Sequence, residues 1–139
     1  MEPIKLHYTV PGDDFTHAGE ASADLKARLK KLGLPAEAVR KVAIALYEGE
    51  INLAIHAGGG DIDVAISDDT VDMVLSDKGP GIADIPLAMS EGYSTAPDEV
   101  RSLGFGAGMG LPNMKKYSDS FDIQSTVGVG TRVEMQVRF

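Results

Sequence analysis

The sequence predicts an α+β fold of two layers, in which a mixed, mostly antiparallel sheet carries helices on one face. Several segments alternate apolar and polar residues with a period of two, which is typical of strands with one covered face and one wet face. These strand segments follow one another as hairpins, with the helical segments grouped between them. The longest helical segment is apolar on more than one side, as a helix lying against a sheet would be.

The N-terminal part of the chain is predicted to form a strand and two helices. Residues 4–10 alternate between apolar and polar side chains, which predicts a half-buried strand. Apolar residues at helical spacing then predict a helix from about Phe15 to Leu32 and a second helix from about Ala36 to Ala57. The glycines at 58–60 end the second helix.

The remainder is predicted to form four strands, one helix and one long irregular connection. The strands are expected over four segments: 61–67, 70–77, 120–127 and 131–139. The helix runs from about Met109 to Tyr117. The irregular stretch, 79–102, is rich in glycine, proline, serine and charge, and a connection of that length in a compact domain usually has a use, such as a lid.

Length and composition limit the class of protein. With 139 residues, of which 43% are hydrophobic, the chain can bury the core of a single domain, 1–139. The formal net charge of -8 argues against nucleic acid as a partner, because nucleic-acid binders carry a basic face. The chain lacks cysteine, a signal peptide and an apolar run long enough to span a membrane, so we expect a cytoplasmic protein that does not bind membranes.

Four alternating glycines precede the third helix in the stretch LGFGAGMGLPNMKK: Gly104, Gly106, Gly108 and Gly110. Glycine lets backbone N–H groups approach an anion, and a helix N-terminus adds partial positive charge, so the stretch is a candidate phosphate site. It is not a P-loop, since the chain contains no Gly-Lys pair, and its spacing differs from that of dinucleotide-binding and protein-kinase loops. A phosphate bound here would belong to another fold.

Glu48 and Asn52 lie four residues apart on the long helix, so they share one helix face, with His56 one turn further along. Taken alone, such a pair could be a solvated edge of the helix. Alternatively, the asparagine oxygen is a hard ligand suited to Mg²⁺, and the carboxylate could take a proton from an attacking hydroxyl. His56 is interpreted as a structural histidine rather than as a ligand.

Two glycine-containing turns carry further polar residues. Asp77 ends a strand and is followed by Gly79 and Gly81, which is typical of a surface turn. The same carboxylate could instead accept a hydrogen bond from the amino group of adenine, with the glycines leaving room for the ring. The second turn, Gly128 to Thr131, needs no function beyond joining two strands of a hairpin.

Taken together and in this order, the four segments resemble the nucleotide-binding site of the GHKL superfamily, which includes gyrase, Hsp90, histidine kinases and MutL. The matching motifs are E-x-x-x-N at 48–52, D-x-G-x-G at 77–81, G-x-G-x-G-x-G-L at 104–111 and the glycine-threonine pair at 130–131. The resemblance spans nearly the whole chain and implies one ATP-binding domain of the Bergerat fold, with ATP and Mg²⁺ as cofactors. Within the superfamily, the lid motif EGYSTAP makes the chain similar to the stand-alone anti-sigma factors and serine/threonine kinases.

The resemblance also implies a role for each matching residue. Asn52 would hold Mg²⁺ against the phosphates, and Glu48 would act as general base toward a serine or threonine hydroxyl of a partner protein. Asp77 would bind the adenine amino group, supported by Thr131 directly or through water. Gly79 and Gly81 would shape the adenine pocket. The outer phosphates would be held by the glycine loop and the following helix start: Gly104, Gly106, Gly108, Gly110 and Leu111.

The same motifs serve two functions. The chain would be a protein serine/threonine kinase that phosphorylates an antagonist protein, or a binding module that sequesters or activates a partner such as a sigma factor or a phosphatase. In the binding module, ATP would only set the shape of the protein through its lid, at about 82–104. A plain ATPase with water as acceptor is a third alternative. Members of the family often act as homodimers, so the resemblance also implies a homodimer.

Overall fold

The computed structural model describes residues 2–12, 17–82, 84–89 and 110–139 of the chain. Its five strands form one sheet: β1 Ile4–Pro11, β2 Gly59–Ile66, β3 Thr70–Ser76, β4 Ser120–Thr126 and β5 Gly130–Arg138. The order across the sheet is β1-β2-β3-β5-β4, and each neighbouring pair is antiparallel. The mostly antiparallel character of the predicted sheet and its closing hairpin are confirmed, although the described strands include no parallel pair that would make the sheet mixed.

The described residues contain four helices: α1 Glu20–Lys31, α2 Ala36–His56, α3 Ile85–Ala88 and α4 Gly110–Lys116. The bounds of α2 and α4 agree closely with the prediction. By contrast, α3 lies inside the stretch predicted to be irregular. The carboxylate of Asp84 caps it by accepting the N–H of Leu87, and Pro86 is in its first turn. An aspartate followed closely by proline is a helix-start pattern that could have indicated this short helix.

The central helix of the layer that covers the sheet is α2. It packs against α1 on one side and α4 on the other, and it also contacts the strands. Its buried side chains, such as Val42, Leu46 and Leu53, share one hydrophobic core with Met73 of β3 and Met135 of β5. The helices therefore lie on one face of the sheet, as predicted.

Gly49 allows α2 to approach the sheet closely. A Cβ atom at this position would collide with Leu75 of β3 and would lie 3.3 Å from Sδ of Met114 in α4. Both of these neighbours are buried. The helix-propensity cost of a glycine inside a helix, about 1 kcal/mol relative to alanine, is therefore offset by a close contact among three elements.

The start of α1 is at Glu20, later than the predicted start near Phe15. Residues 13–16 lie outside the described part, and the residues just before Glu20 form a turn in which Gly19 has a φ of +104°. The cap comes from Glu50 of α2, whose carboxylate accepts the N–H groups of Gly19, Ala21 and Ser22 at 2.9, 3.1 and 2.9 Å. Local sequence does not show this start, because the capping group lies on another helix.

The opposite face of the sheet is polar. There, Nδ1 of His7 lies 2.7 Å from Oδ1 of Asp63, and its Nε2 lies 3.3 Å from Oδ1 of Asp61. The strand that carries His7, β1, is more exposed than predicted, since Val10 is its one buried residue. Because β1 is an edge strand, the helical layer covers little of it. Among the described residues, no helix combines the length and apolar character that a membrane crossing requires.

Candidate functional site

Asp77 lies just after β3, where backbone donors hold its carboxylate in place. Its Oδ1 accepts hydrogen bonds from the N–H groups of Gly79 at 2.8 Å and of Thr131 at 3.2 Å. The N–H of Asp77 in turn donates to the carbonyl of Thr131 at 3.0 Å, so the two strand ends are tied together. These contacts among the described residues engage Oδ1, which leaves Oδ2 for a donor on a ligand.

Ser125 of β4 extends this cluster. Its Oγ lies 2.8 Å from Oγ1 of Thr131 and accepts the N–H of Ile82 at 2.7 Å. The sequence motifs identify Thr131 but miss Ser125, because only the pairing of β4 with β5 brings the two residues opposite each other. The alternation of β4 predicts which face Ser125 is on, but it does not indicate this partner.

The glycines around Asp77 allow backbone segments to approach one another. Gly130 has a φ of +146°, and a Cβ atom on it would overlap the carbonyl oxygen of Asp77. Gly79 lies against the backbone at the end of α2, and Gly81 lies against the carbonyl of Thr126. The end of α2, the end of β3 and the β4–β5 hairpin therefore meet here with no side chain between them.

A shallow depression of about 300 Å³ lies behind this strand end. Its lining includes Ser76, Gln124 and Arg132, which form one cross-strand row on the polar face of the sheet. The side chains of Asp77 and Thr131 point the other way, toward the helical layer, because successive residues of a strand alternate between faces. Asp77, Ser125 and Thr131 also line the depression, so it adjoins the strand end that holds the Asp77 carboxylate.

Glu48 faces the start of α4 from the middle of α2. Its Oε1 accepts a hydrogen bond from Nδ2 of Asn113 at 3.4 Å, and its Oε2 lies 3.6 Å from where a Cβ atom of Gly110 would be. The side chain of Glu48 is half-buried. Since Gly110 is the last of the four loop glycines, the residue predicted to be the base lies next to the end of the predicted phosphate loop. Asn113 is a neighbour that the sequence motifs do not indicate.

Asn52 lies one turn beyond Glu48 on α2 and is partly exposed. His56 lies a further turn along, and its burial lowers the pKa of its imidazole. No cluster of three or more His, Cys, Asp or Glu side chains that could hold a metal occurs among the described residues. Mg²⁺ commonly takes several of its ligands from phosphate oxygens and water, so a single amide oxygen such as that of Asn52 can suffice as a protein ligand.

The glycine loop is described only at its end. Gly104, Gly106 and Gly108 lie outside the described residues, as does most of the lid predicted at about 82–104. Gly110 and Leu111 open α4, and the Leu111 side chain is buried in the hydrophobic core. Leu111 would therefore meet a nucleotide through its backbone rather than through its side chain.

The two groups of site residues are connected by α2. Glu48 lies beside α4, whereas Ala57, just after the end of α2, lies beside Gly79. At about 1.5 Å per residue, these two positions are about 13 Å apart along the helix axis. An elongated ligand that contacts Asp77 at one end could therefore reach Glu48 at the other.

Comparison with known proteins gives independent findings. The sequence profile of the family described as histidine kinase-like ATPase domain matches residues 13–137. One curated relative is the serine/threonine-protein kinase RsbT of Bacillus subtilis (strain 168), 31% identical over 109 residues that cover 76% of each chain. Another is the anti-sigma F factor of Clostridium botulinum (strain Eklund 17B / Type B), 32% identical over 125 residues that cover 86% of this chain and 84% of the relative.

A solved structure has the same fold. The crystal structure of the RsbU and RsbW domains of a Mycobacterium tuberculosis protein matches with a TM-score of 0.65 at 17% sequence identity. The match covers 97% of this chain and 32% of that longer chain, so this chain spans about a third of its length. At this level of identity, the likeness concerns the fold alone.

Proposed function

The chain belongs to the histidine kinase-like ATPase domain family, and we propose that it uses Mg-ATP to phosphorylate a serine or threonine of a partner protein in a bacterial regulatory switch. The names of two kinds of relatives support this function, a serine/threonine-protein kinase and anti-sigma F factors. The partner would accordingly be an antagonist protein, a sigma factor or a phosphatase.

The observation that carries this proposal is the position of Glu48 beside Gly110 and Asn113 at the start of α4. An acceptor hydroxyl must lose its proton as its oxygen attacks the terminal phosphorus of ATP, so a base is needed where the phosphates end. Glu48 lies at the last glycine of the loop that would donate backbone N–H groups to those phosphates. During transfer, the proton would pass to Glu48, the new O–P bond would form, and the bond to the ADP oxygen would break.

The other end of the site suits an adenine base. Oδ2 of Asp77 would accept the adenine amino group while Oδ1 stays bonded to the backbone of Gly79 and Thr131. The hydroxyl pair of Ser125 and Thr131 would support the carboxylate or hold a bridging water. The absence of side chains at Gly79 and Gly81 would leave room for the flat ring.

The side chains on α2 also fit a bound Mg²⁺. Asn52 offers a neutral amide oxygen one turn from Glu48, and a cation that keeps phosphate and water ligands needs few protein ligands. When bound, Mg²⁺ would neutralise charge on the transferred phosphoryl group, which is where most of the catalysis of such transfers lies. Asn52 would orient the cation, and Glu48 would remain free to accept the proton.

A second function is supported by the relatives named as anti-sigma F factors. The chain would then be a nucleotide-gated binding module that sequesters or activates its partner with little or no catalysis. ATP would set the position of the predicted lid, about 82–104, and Glu48 would have no chemical task. The two functions therefore differ in whether phosphate reaches the partner.

Transfer of label from γ-labelled ATP tests the kinase. Wild-type protein should label a serine or threonine of one antagonist protein encoded by the same genome. Glu48→Ala should reduce the rate by about 100-fold or more, because general base catalysis typically contributes that much. Glu134→Ala, which removes an exposed carboxylate on the polar face of the sheet, is the matched control and should transfer normally. A stable complex without transfer in the wild type would favour the binding module.

We also propose that 1–139 acts as one ATP-binding domain and that the chain forms a homodimer. Size-exclusion chromatography with light scattering, carried out with and without Mg-ATP, tests the dimer. A monomeric mass in both conditions would contradict it.

A further inference from the structure

Positive charge is concentrated at one end of the helical layer, although the formal net charge of the chain is -8. Six of the 13 Lys and Arg residues lie there: Lys30, Lys31, Arg40, Lys41, Lys115 and Lys116. They belong to the last turn of α1, the first turns of α2 and the last turn of α4. We name these six residues the basic end.

Contacts hold the three helix ends together. The short connection 32–35 joins α1 to α2, and the two helices pack against each other. Cζ of Arg40 lies 5.5 Å from the ring centroid of Tyr117, and Nζ of Lys116 lies 5.4 Å from the same centroid. Nζ of Lys41 lies 3.9 Å from Oδ1 of Asp119, just beyond α4. The basic end is therefore one continuous surface.

Much of this charge has no acidic neighbour. Arg40 pairs with Glu37 at 3.0 Å and Lys41 with Asp119, but the ion pairs of the described residues include none to the other four lysines, which are exposed. Leu32 lies beside them and is 49% exposed. An exposed leucine among cations is suited to a protein surface that is acidic around an apolar contact.

We propose that the basic end is the docking surface for an acidic face of the partner protein. This inference rests on the proposed function and adds the chemistry by which the partner would be recognised. A protein is favoured over nucleic acid because Glu37 and Asp119 are interspersed in the surface and the chain as a whole is acidic. Both features repel a polyanion but allow a protein surface to align its own charges.

The basic end is related to the candidate site by α4. Its first residue, Gly110, lies beside Glu48, whereas its last residue, Lys116, lies in the basic end. Seven helical residues span about 10 Å. A partner could therefore dock its acidic face on the basic end and present a serine or threonine to Glu48. That residue would have to lie about 10 Å from the acidic face.

Titration of ¹⁵N-labelled protein with a synthetic peptide of glutamate, leucine and serine tests the surface by NMR. Amide shifts should be confined to the ends of α1 and α4 and the start of α2, and the affinity should fall as salt is added. Lys30→Glu combined with Lys116→Glu should weaken binding about tenfold or more. The matched control, Lys5→Glu with Arg132→Glu, reverses two exposed cations on the polar face of the sheet and should change the affinity less than about twofold.

Several results would overturn the proposal. The first is that both pairs of substitutions weaken peptide binding equally. The second is that the amide shifts are absent or centred outside the basic end. The third is that duplex DNA of equal charge binds more tightly than the peptide. Shifts of the basic-end amides that depend on protein concentration without peptide would instead assign this surface to a second copy of the chain. If the glutamate variants do not fold, Lys30→Gln with Lys116→Gln replaces them. The titration contains no nucleotide, so its failure and a failure of the ATP-dependent function are distinguishable.

Discussion

Glu50 is a carboxylate that is only 2% exposed, a costly location unless its oxygens are hydrogen-bonded. Three backbone N–H groups at the start of α1 satisfy it, and the partial positive charge of a helix N-terminus favours an anion there. In sequence it lies midway between Glu48 and Asn52, yet it points to the other side of α2. One stretch of helix therefore carries both the cap of α1 and the candidate site.

Replacing Glu50 by alanine should lower the free energy of unfolding by about 2–3 kcal/mol, because buried N–H groups would lose a charged acceptor. Chemical denaturation followed by circular dichroism measures this loss. The control is Glu37→Ala on the same helix, where an exposed carboxylate pairs with Arg40, and it should lower the free energy of unfolding far less. Equal losses in the two variants would contradict the capping role of Glu50.

The pKa of His7 should lie above the ordinary histidine pKa, and the pKa of His56 should lie below it. The hydrogen bond with Asp63 raises the pKa of His7, whereas burial lowers the pKa of His56. NMR titration of the imidazole resonances measures both values. Asp63→Asn should bring the pKa of His7 back toward normal, and a pKa of His56 above that of His7 would be the contrary result.

These shifts make opposite contributions to stability. The pKa of His56 is lower in the folded chain. The stability that this residue contributes is therefore fully present above a pH of about 6.5 and is lost as the pH falls through the folded pKa. The pKa of His7 is raised, so its contribution is present below the unfolded pKa and is lost as the pH rises through the folded pKa.

At the scale of elements, strands β2 to β5 lie where alternation predicts them, because a period of two is a property of neighbouring residues. The start of α1 depends instead on Glu50, a residue of another helix, so no local pattern reveals it. The residues of the candidate site likewise fall into those that local sequence indicates and those that only the fold brings together. Motifs identify Glu48, Asp77 and Thr131 from sequence, but Ser125 and Asn113 join them only through strand pairing and helix packing.

The β4–β5 hairpin offers a test of how Asp77 is held. Gly130→Ala should weaken Mg-ATP binding about tenfold, because a Cβ atom would displace the backbone of Asp77 and with it the carboxylate. Gly128→Ala is the matched control, since its φ of +79° is also positive but no atom lies within 4 Å of the added Cβ. It should reduce stability by about 1 kcal/mol and leave the affinity unchanged. Wild-type affinity in both variants would show that Asp77 does not depend on this contact.

At the scale of the whole molecule, a sheet covered on one face by helices holds the candidate site where α2 meets α4 and the ends of β3 and β5. Packing at Gly49 sets the distance of α2 from the sheet, and the ends of the site are attached to that one helix. The arrangement of layers is predictable from periodicity. The loop of Gly104, Gly106 and Gly108 and the lid at about 82–104 stay predictions from motifs, because they lie wholly or mostly outside the described residues.

Isothermal titration with Mg-ATP tests the candidate site most directly. Wild-type protein should bind Mg-ATP, and Asn52→Ala should bind at least tenfold more weakly, a loss of about 1.4 kcal/mol or more. Gln124→Ala, which removes an exposed carboxamide on the polar face of the sheet, should bind as the wild type does. Absence of binding in the wild type, or an undiminished affinity in Asn52→Ala, would contradict the assignment of this site to Mg-ATP.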